Sequence, residues 1–446
     1  MPELYQHQKN DVQFYLENEH VLNFSDPGTG KTPTLIEVIR QTYQDGKTLV
    51  LGPKSILEVA WAADLHRFAP ELRYTIAWAE NRKKAFASDA DVYITNHDAV
   101  KTLVENASWL KGFNRLIIDE SIAYANRNSQ RSKAIRKLSQ GFAHRTVLNG
   151  TPFGTDIGHI WHQAIITDGG QRLGKSFWAF YNQVAYPIQT GPLPEHRTWH
   201  EKDGARELIY SLVADITIRN KLEDVIEIPE NFIRPLDTPM NKKHRKIYDQ
   251  FAKDAVLKLR SGEVIGLNKA QLRQKLYQIA SGAVYTGDSY EILDKDRYNL
   301  TMDLIEAREQ CVVAFLWAHQ KELLVKEAER RGFQFAVIDG ATPAQKRSQY
   351  VDEFQAGRHK IMFMHPVCGA YGITLTSGTS TIWASPTPNP VWWKQLNARI
   401  HRNGQTRKTE TIVQCAPNSI ESEKYDILTN RATGLSEFLS LFERAA

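Results

Sequence analysis

Short apolar, β-branched runs recur along the chain, each bounded by polar or Gly/Pro residues. The first set is TLVLGP (48–53), DVYITN (91–96), RLIIDE (115–120) and RTVLNG (145–150). These runs are mostly apolar rather than alternating, which is the pattern of strands buried on both faces of a parallel sheet. Segments of helical length, such as 33–44 and 130–140, lie between them. Strand alternating with helix predicts an α/β, doubly wound layer. A second set follows: CVVAFLW (311–317), FAVIDG (335–340), KIMFMHP (360–366), STIWASP (380–386) and ETIVQCAP (410–417). The pattern therefore predicts two α/β lobes. The expected boundaries are lobe one over 1–160, a helical and aromatic extension with linker over 161–232, a helical entry segment over 233–290, and lobe two over 291–446. Prolines 229, 235 and 239 mark the expected crossover between lobes.

Composition narrows the class. With 446 residues, 42% of them hydrophobic and 24% charged, the chain is expected to be globular with two or three domains. It has no apolar run of roughly 18 residues, so no membrane span is expected. The N-terminal stretch lacks the basic start and apolar core of a signal peptide, which makes the cytoplasm the expected location. Cys311, Cys368 and Cys415 form no CxxC pair, so three reduced thiols and no structural metal are expected. The formal net charge of +5 permits a polyanionic partner without requiring one.

The candidate chemistry begins at Ser25, Asp26, Pro27, Gly28, Thr29, Gly30, Lys31 and Thr32, between a short apolar strand (21–24) and a helix from 33. Gly28 and Gly30 let the backbone turn its N–H groups toward phosphate oxygens, and the helix N-terminus adds partial positive charge. Lys31 can reach the β- and γ-phosphates of ATP, and the Thr32 hydroxyl can ligate Mg²⁺. Ser25 stands where the phosphate-loop pattern usually begins with glycine. The run LIIDES (116–121) then ends a buried strand in two carboxylates. Such charges are costly to bury without a metal or cation. Asp119 is the expected Mg²⁺ holder, and Glu120 is expected to orient and deprotonate the attacking water. After the next strand, LNGTP (148–152) supplies Gly150, Thr151 and Pro152, which can link the γ-phosphate to lobe movement. Far downstream, QLNARIHRNGQ (395–405) holds Arg399 and Arg402 three residues apart, on one face if the segment is helical. Two arginines so placed can meet a triphosphate bound to the other lobe.

SDPGTGKT, DESI and NGTP, in that order, resemble motifs I, II and III of superfamily 2 helicases. Ile122 occupies a position where many relatives carry histidine, which leaves open how the acidic box is linked to the following motif. Gln395, Arg399, Arg402, Gly404 and Gln405 resemble motif VI. The finer resemblance is to the Swi/Snf-type branch and runs through most of the chain: 4–16 with Gln8 as the adenine-reading glutamine, 49–70, 216–230, 337–347, 368–380 and 388–405. It implies two tandem RecA-like lobes with parallel sheets, ATP in the cleft between them, and helical insertions. Gly372 and Gln395 join Gly150 and Thr151 as expected coupling residues. It further implies DNA tracking, with Lys54, Thr95, Asn96, Thr342 and Thr374 as nucleic-acid contacts gripping phosphates through hydroxyls and amides.

Trp161, Phe177, Trp178, Phe180 and Tyr181 read either as a wedge stacking on bases or as the core of a helical subdomain, with the core reading the more economical. The Lys and Arg residues of 240–275 read as a solvated helix face ahead of a second duplex contact. The expected activity is an ATP-dependent DNA helicase or translocase, first a remodeller of forked or branched DNA (branch migration) in a bacterial or phage-infected cytoplasm. The alternatives are a duplex-DNA translocase that strips or remodels bound proteins, and an ATP-gated recruiter that binds DNA without moving. Protein partners are not legible.

Overall fold

The computed structural model describes residues 3–443, apart from 154–155, 190–196, 262–268, 288 and 370–372. The chain divides into two compact units. One is Met1–Glu227 together with Thr433–Ala446, and the other is Ile228–Ala432.

The first unit is built on strands β1 (His20–Asn23), β2 (Lys47–Gly52), β3 (Tyr74–Ala77), β4 (Val92–Asn96), β5 (Phe113–Ile118) and β6 (His144–Leu148). A hairpin, β7 (Ala185–Gln189) and β8 (Arg197–Glu201), and the two-residue β9 (Thr217–Ile218) follow. The main sheet has the order β3-β4-β2-β5-β6-β1-β9, and each neighbouring pair runs parallel. The apolar runs predicted as strands form β2, β4, β5 and β6. The half-buried edge strand β3, the antiparallel hairpin and the very short β9 carry no comparable apolar run and were not anticipated.

The aromatic middle is core. Trp161, Phe180 and Tyr181 are buried with the sheet's inner residues, and Phe177 packs partly against them. Trp178 is the exception at 51% exposure, with the Arg127 guanidinium 5.1 Å from its ring centre and 3.6 Å from that of Phe177. The helix His159–Asp168 is buried nearly all round, as befits an element enclosed within a core.

Residues after 432, read from sequence as part of lobe two, group with the first unit. Leu435, Phe438, Leu439 and Phe442 recur at helical spacing and bury one stripe in its core. Phe438 lies 5.1 Å from Phe153, and Phe442 lies 5.0 Å from Tyr210, ring centre to ring centre.

The second unit contains β10 (Asn231–Asp237), a hairpin of β11 (Ala283–Thr286) and β12 (Ser289–Ile292), then β13 (Cys311–Ala314), β14 (Phe335–Ile338), β15 (Ile361–Met364), β16 (Ser380–Trp383) and β17 (Thr409–Cys415). Its main sheet, β10-β17-β16-β13-β15-β14, is also parallel throughout. The proline-marked stretch expected to be only a crossover is strand β10, paired with β17 from Asn231↔Thr409 to Asp237↔Cys415. Pro235 lacks an N–H, and the edge position tolerates that loss. The charged region after it forms helices Lys242–Ser261 and Lys269–Ala280. Two of its basic residues serve the unit itself: Arg245 donates to the Pro417 and Asn418 carbonyls, and Arg273 pairs with Glu423. No helix among the described residues is long and apolar enough to cross a membrane.

A buried ion pair clamps the carboxyl edge of this second sheet. Arg297 donates to both Glu421 oxygens at 2.7 and 2.5 Å and to the Ala384 carbonyl at 2.7 Å, just past β16. Glu421 also accepts from Ser385 Oγ at 2.7 Å and from the Ala416 N–H at 2.8 Å, just past β17. Glu421→Ala leaves the Arg297 charge buried and uncompensated and is expected to cost about 3–5 kcal/mol. Denaturant unfolding of the variant checks this, and a loss below about 1 kcal/mol, the value of an exposed pair, contradicts the clamp.

Candidate active site

Three segments far apart in sequence meet because β5, β6 and β1 are neighbours and parallel, so all three strands end at the same edge. That carboxyl edge is where open α/β sheets present ligand-binding loops. The phosphate-loop segment follows β1, the acidic box follows β5, and the Asn149–Gly150–Thr151 turn follows β6. The close approach of Gly150 to the loop is what its missing side chain permits: a Cβ there would lie 3.1 Å from Pro27 Cδ and 3.3 Å from the Ser25 carbonyl oxygen.

The loop is held from several sides. Gly28 and Gly30 adopt φ of 91° and 82°, which L side chains rarely take, and Gly30 caps the helix Lys31–Thr42. Lys31 Nζ donates to the Ser25 and Asp26 carbonyls at 2.8 and 2.9 Å, and Thr29 Oγ1 donates to the Asp26 carbonyl at 2.9 Å. Gln8 lies directly over Gly30. Its Oε1 accepts from the Tyr5 N–H at 2.9 Å, and its amide donates to the Gly30 carbonyl at 3.3 Å. His7 Nε2 adds a contact to the Thr29 carbonyl at 2.8 Å.

Ser25, the departure from the usual glycine, is fully buried and has a definite task. Its Oγ accepts the Asn220 N–H at 2.9 Å. Asn220 and Arg219 follow β9, beside β1 in the sheet. Arg219 pairs with Asp26 at 2.8 Å and with Glu443 at 3.1 Å. The 216–230 segment was recognised in the sequence as a block, but no residue in it was assigned a role. Its contacts depend on β9 lying next to β1, which no local pattern reveals.

Asp119 is 9% exposed, and its Oδ2 accepts the Trp61 indole N–H at 3.0 Å. Burial pushes its carboxyl above the usual range, while the Trp61 N–H and the Lys31 charge pull it back. A buried carboxylate beside a lysine suits a divalent cation, which offsets the cost of burial. Oxygen donors such as Asp119 and the Thr32 hydroxyl are the kind Mg²⁺ takes alongside phosphates and water. Glu120 sits at φ 54°, ψ 55°, a left-handed conformation that a non-glycine residue enters only at some cost. Behind the box, Ser121 Oγ and Asn149 Nδ2 both donate to Gln163 Oε1, at 2.8 and 3.0 Å. Asn149 Oδ1 in turn accepts the Thr151 N–H at 3.0 Å.

In the second unit, helix Pro390–Asn397 ends before both candidate arginines, so the expected shared helical face does not exist. A turn brings them together instead. Arg399 and Arg402 each donate to the Ile373 carbonyl, at 3.1 and 3.0 Å. Arg399 Nε also donates to the Gln395 carbonyl at 2.7 Å, and Gln405 Nε2 bonds the Thr376 and Gly378 carbonyls at 3.0 Å each. Segment 395–405 is thus stitched to 373–378. Gly372 lies outside the described residues.

Of the residues expected to touch nucleic acid, Lys54 follows β2 and Thr95 and Asn96 end its neighbour β4, while Thr342 and Thr374 belong to the second unit. Lys54 is exposed near the Trp78 ring. Thr95 is fully buried, its hydroxyl donating to the Ala77 carbonyl at 2.6 Å. Asn96 donates to Asp98 at 3.2 Å, Thr342 bonds Asp339 at 3.1 Å, and Thr374 is half-buried.

Residues 7–282 match the SNF2-related domain. The chain belongs to the SNF2-related family. The helicase conserved C-terminal domain matches residues 296–404, so the SNF2-related domain is followed by the second half of a superfamily 2 ATPase of the Swi/Snf-related branch. "Putative protein p41" of Acyrthosiphon pisum secondary endosymbiont phage 1 is 27% identical over 403 residues, covering 86% of this chain and 84% of that one. "Putative ATP-dependent helicase/translocase YwqA" of Bacillus subtilis (strain 168) is 24% identical over 92% of this chain and 45% of its own length. "ISWI chromatin-remodeling complex ATPase CHR17" of Arabidopsis thaliana is 23% identical over 92% of this chain and 40% of its own length. The chain therefore spans most of the phage relative but less than half of the other two.

In this SNF2-related unit, Lys31→Ala is expected to lower ATP turnover by about 10²-fold or more, because a fixed charge at the phosphate loop is lost. Steady-state hydrolysis by the folded variant checks it, and near wild-type turnover contradicts the assignment of the loop. A second expectation concerns Asp11, buried behind the loop with Oδ2 accepting from Asn220 Nδ2 at 2.8 Å. Burial pushes its carboxyl up to about 6, against the pull of Asn220 and Lys31. The folded state thus binds this proton more tightly than the unfolded chain. The contribution to stability is complete below about pH 4 and is lost as pH rises through about 6. Asp11→Asn should remove that dependence and stabilise the protein by up to about 3 kcal/mol at pH 8. Denaturant unfolding at pH 4 and pH 8 measures it, and equal differences at both values rule it out.

Proposed function

We propose that the chain hydrolyses ATP to move along duplex DNA without separating its strands, displacing or remodelling what is bound there. The observation that carries the hydrolytic half is the meeting of Lys31, Asp119, Glu120 and Gly150 at one strand edge of an SNF2-related chain. In this reading the loop at 25–32 holds the phosphates and Gln8 lies at the base. Thr32 and Asp119 would hold Mg²⁺, which would neutralise phosphate charge. Glu120 receives the proton of the attacking water. Arg399 and Arg402 act on the same nucleotide, which the resemblance to RecA-like lobes implies. Binding to DNA and nucleotide then differs between two states, and that difference drives movement.

Support for a translocating or remodelling motor comes from the names of relatives, one a putative helicase/translocase and another a chromatin-remodelling ATPase. They favour the translocase over branch migration, the reading first drawn from the sequence. Three substrates decide: a triplex-bearing duplex, a fork and a four-way junction, each with ATP. A duplex translocase displaces the third strand and leaves the fork paired. Unwinding of forks or junctions without triplex displacement overturns this proposal in favour of the branched-DNA remodeller. DNA binding with no turnover favours the recruiter.

A further inference from the structure

We infer that Gln163 is a positioning residue that couples the acidic box to the turn after β6. This inference rests on the ATPase reading above.

Ile122, the fourth residue of the acidic box, has no polar side-chain atom with which to make that link. The third residue, Ser121, makes it instead through Gln163, which is 1% exposed on the enclosed helix His159–Asp168. The Gln163 carboxamide is saturated. Its oxygen accepts from Ser121 Oγ at 2.8 Å and from Asn149 Nδ2 at 3.0 Å. Its nitrogen donates to the Pro152 carbonyl, and to the His159 carbonyl at 3.5 Å. The two donors on one side and two carbonyls on the other define which end of the amide is oxygen.

The bonds touch the right pieces. Ser121 immediately follows Glu120, whose left-handed backbone sets where its carboxylate points. Asn149 shapes the Gly150 turn by accepting the Thr151 N–H, and its own N–H donates to the Asn23 carbonyl at 2.9 Å, at the end of β1. Pro152 lies one residue beyond Thr151. A single buried amide thus ties the segment carrying the water-activating carboxylate to both ends of the turn that packs on the phosphate loop. A shift of that turn is transmitted to Glu120 through two hydrogen bonds rather than through apolar contact, which has no fixed geometry. Interior polar groups left without partners are costly, so the network has one satisfied arrangement.

The test compares Gln163→Met, Ser121→Ala and the double variant in the full chain, by ATP turnover with saturating duplex DNA. Methionine keeps the length and volume of the side chain but accepts and donates almost nothing. Gln163→Met is expected to lower kcat about 10- to 100-fold while KM for ATP stays within about twofold, since the loop itself is untouched. Ser121→Ala lowers kcat less, again at constant KM. The double variant is no slower than Gln163→Met alone, because both remove one link. Wild-type kcat in both single variants, losses that multiply independently, or a parallel loss of kcat and ATP affinity that follows the folded fraction by circular dichroism each overturn the coupling. If Gln163→Met does not fold, Ser121→Ala decides alone: it deletes one hydroxyl, and an unchanged kcat overturns the inference. Absence of ATP turnover in the wild-type chain overturns the ATPase reading itself, whereas wild-type turnover with silent variants overturns only the coupling.

Discussion

In a parallel sheet every strand ends at the same edge, and the candidate site exists because of that geometry. β5, β6 and β1 lie side by side, so the acidic box, the Gly150 turn and the phosphate loop emerge together although up to about 120 residues separate them along the chain. β9 adds Arg219 and Asn220 to the same edge through only two paired residues. Helical crossovers keep the strands parallel by covering both faces of the sheet, which explains why its strands are apolar nearly throughout. Had one of these strands been antiparallel, its functional loop would lie at the far edge.

Placing that chemistry at a buried edge has a cost that the surrounding polar contacts offset. Asp119 is desolvated and held by Trp61. Asp11 is desolvated and held by Asn220. Ser25 donates its N–H to Asn23, and its hydroxyl oxygen accepts the Asn220 N–H. Each contact leaves fewer alternative arrangements for the loop, because an interior donor without an acceptor costs more than the bond itself contributes. The Glu120 backbone, in a region that favours glycine, belongs to the same economy. Local strain is retained where the surroundings determine it.

The second unit follows a different local rule. Its arginines are not arranged by helical periodicity, since the helix stops at Asn397. They are arranged by a shared acceptor, the Ile373 carbonyl. A turn can bring side chains at 399 and 402 to one point as well as a helix can, and it also lets Gln405 reach back to 376 and 378. The buried Arg297–Glu421 pair does comparable work at the other end of that sheet's chemistry, fixing the loops that leave β16 and β17 to the helices behind them.

The sequence by itself determined the class of fold and the identity of the chemical groups. Apolar runs of strand length separated by helical segments read as parallel α/β because a strand buried on both faces leaves that imprint locally. SDPGTGKT and DES carry their chemistry in adjacent residues, so Lys31, Thr32, Asp119 and Glu120 were legible without a fold. Only tertiary structure decided what meets what. Nothing local to 216–220 tells that Asn220 serves Ser25, and Trp61 looks like any core tryptophan until it faces Asp119. Gln163 lies in a stretch read as aromatic core, where one polar residue leaves no periodic signal. Strand β10 was hidden by Pro235 and the prolines flanking it, and the last apolar stripe, Leu435 to Phe442, fell in a stretch assigned to lobe two although it packs in the first unit. Periodicity records burial along one element. The identity of the partner across a gap is set by strand order and packing, which the local pattern does not encode.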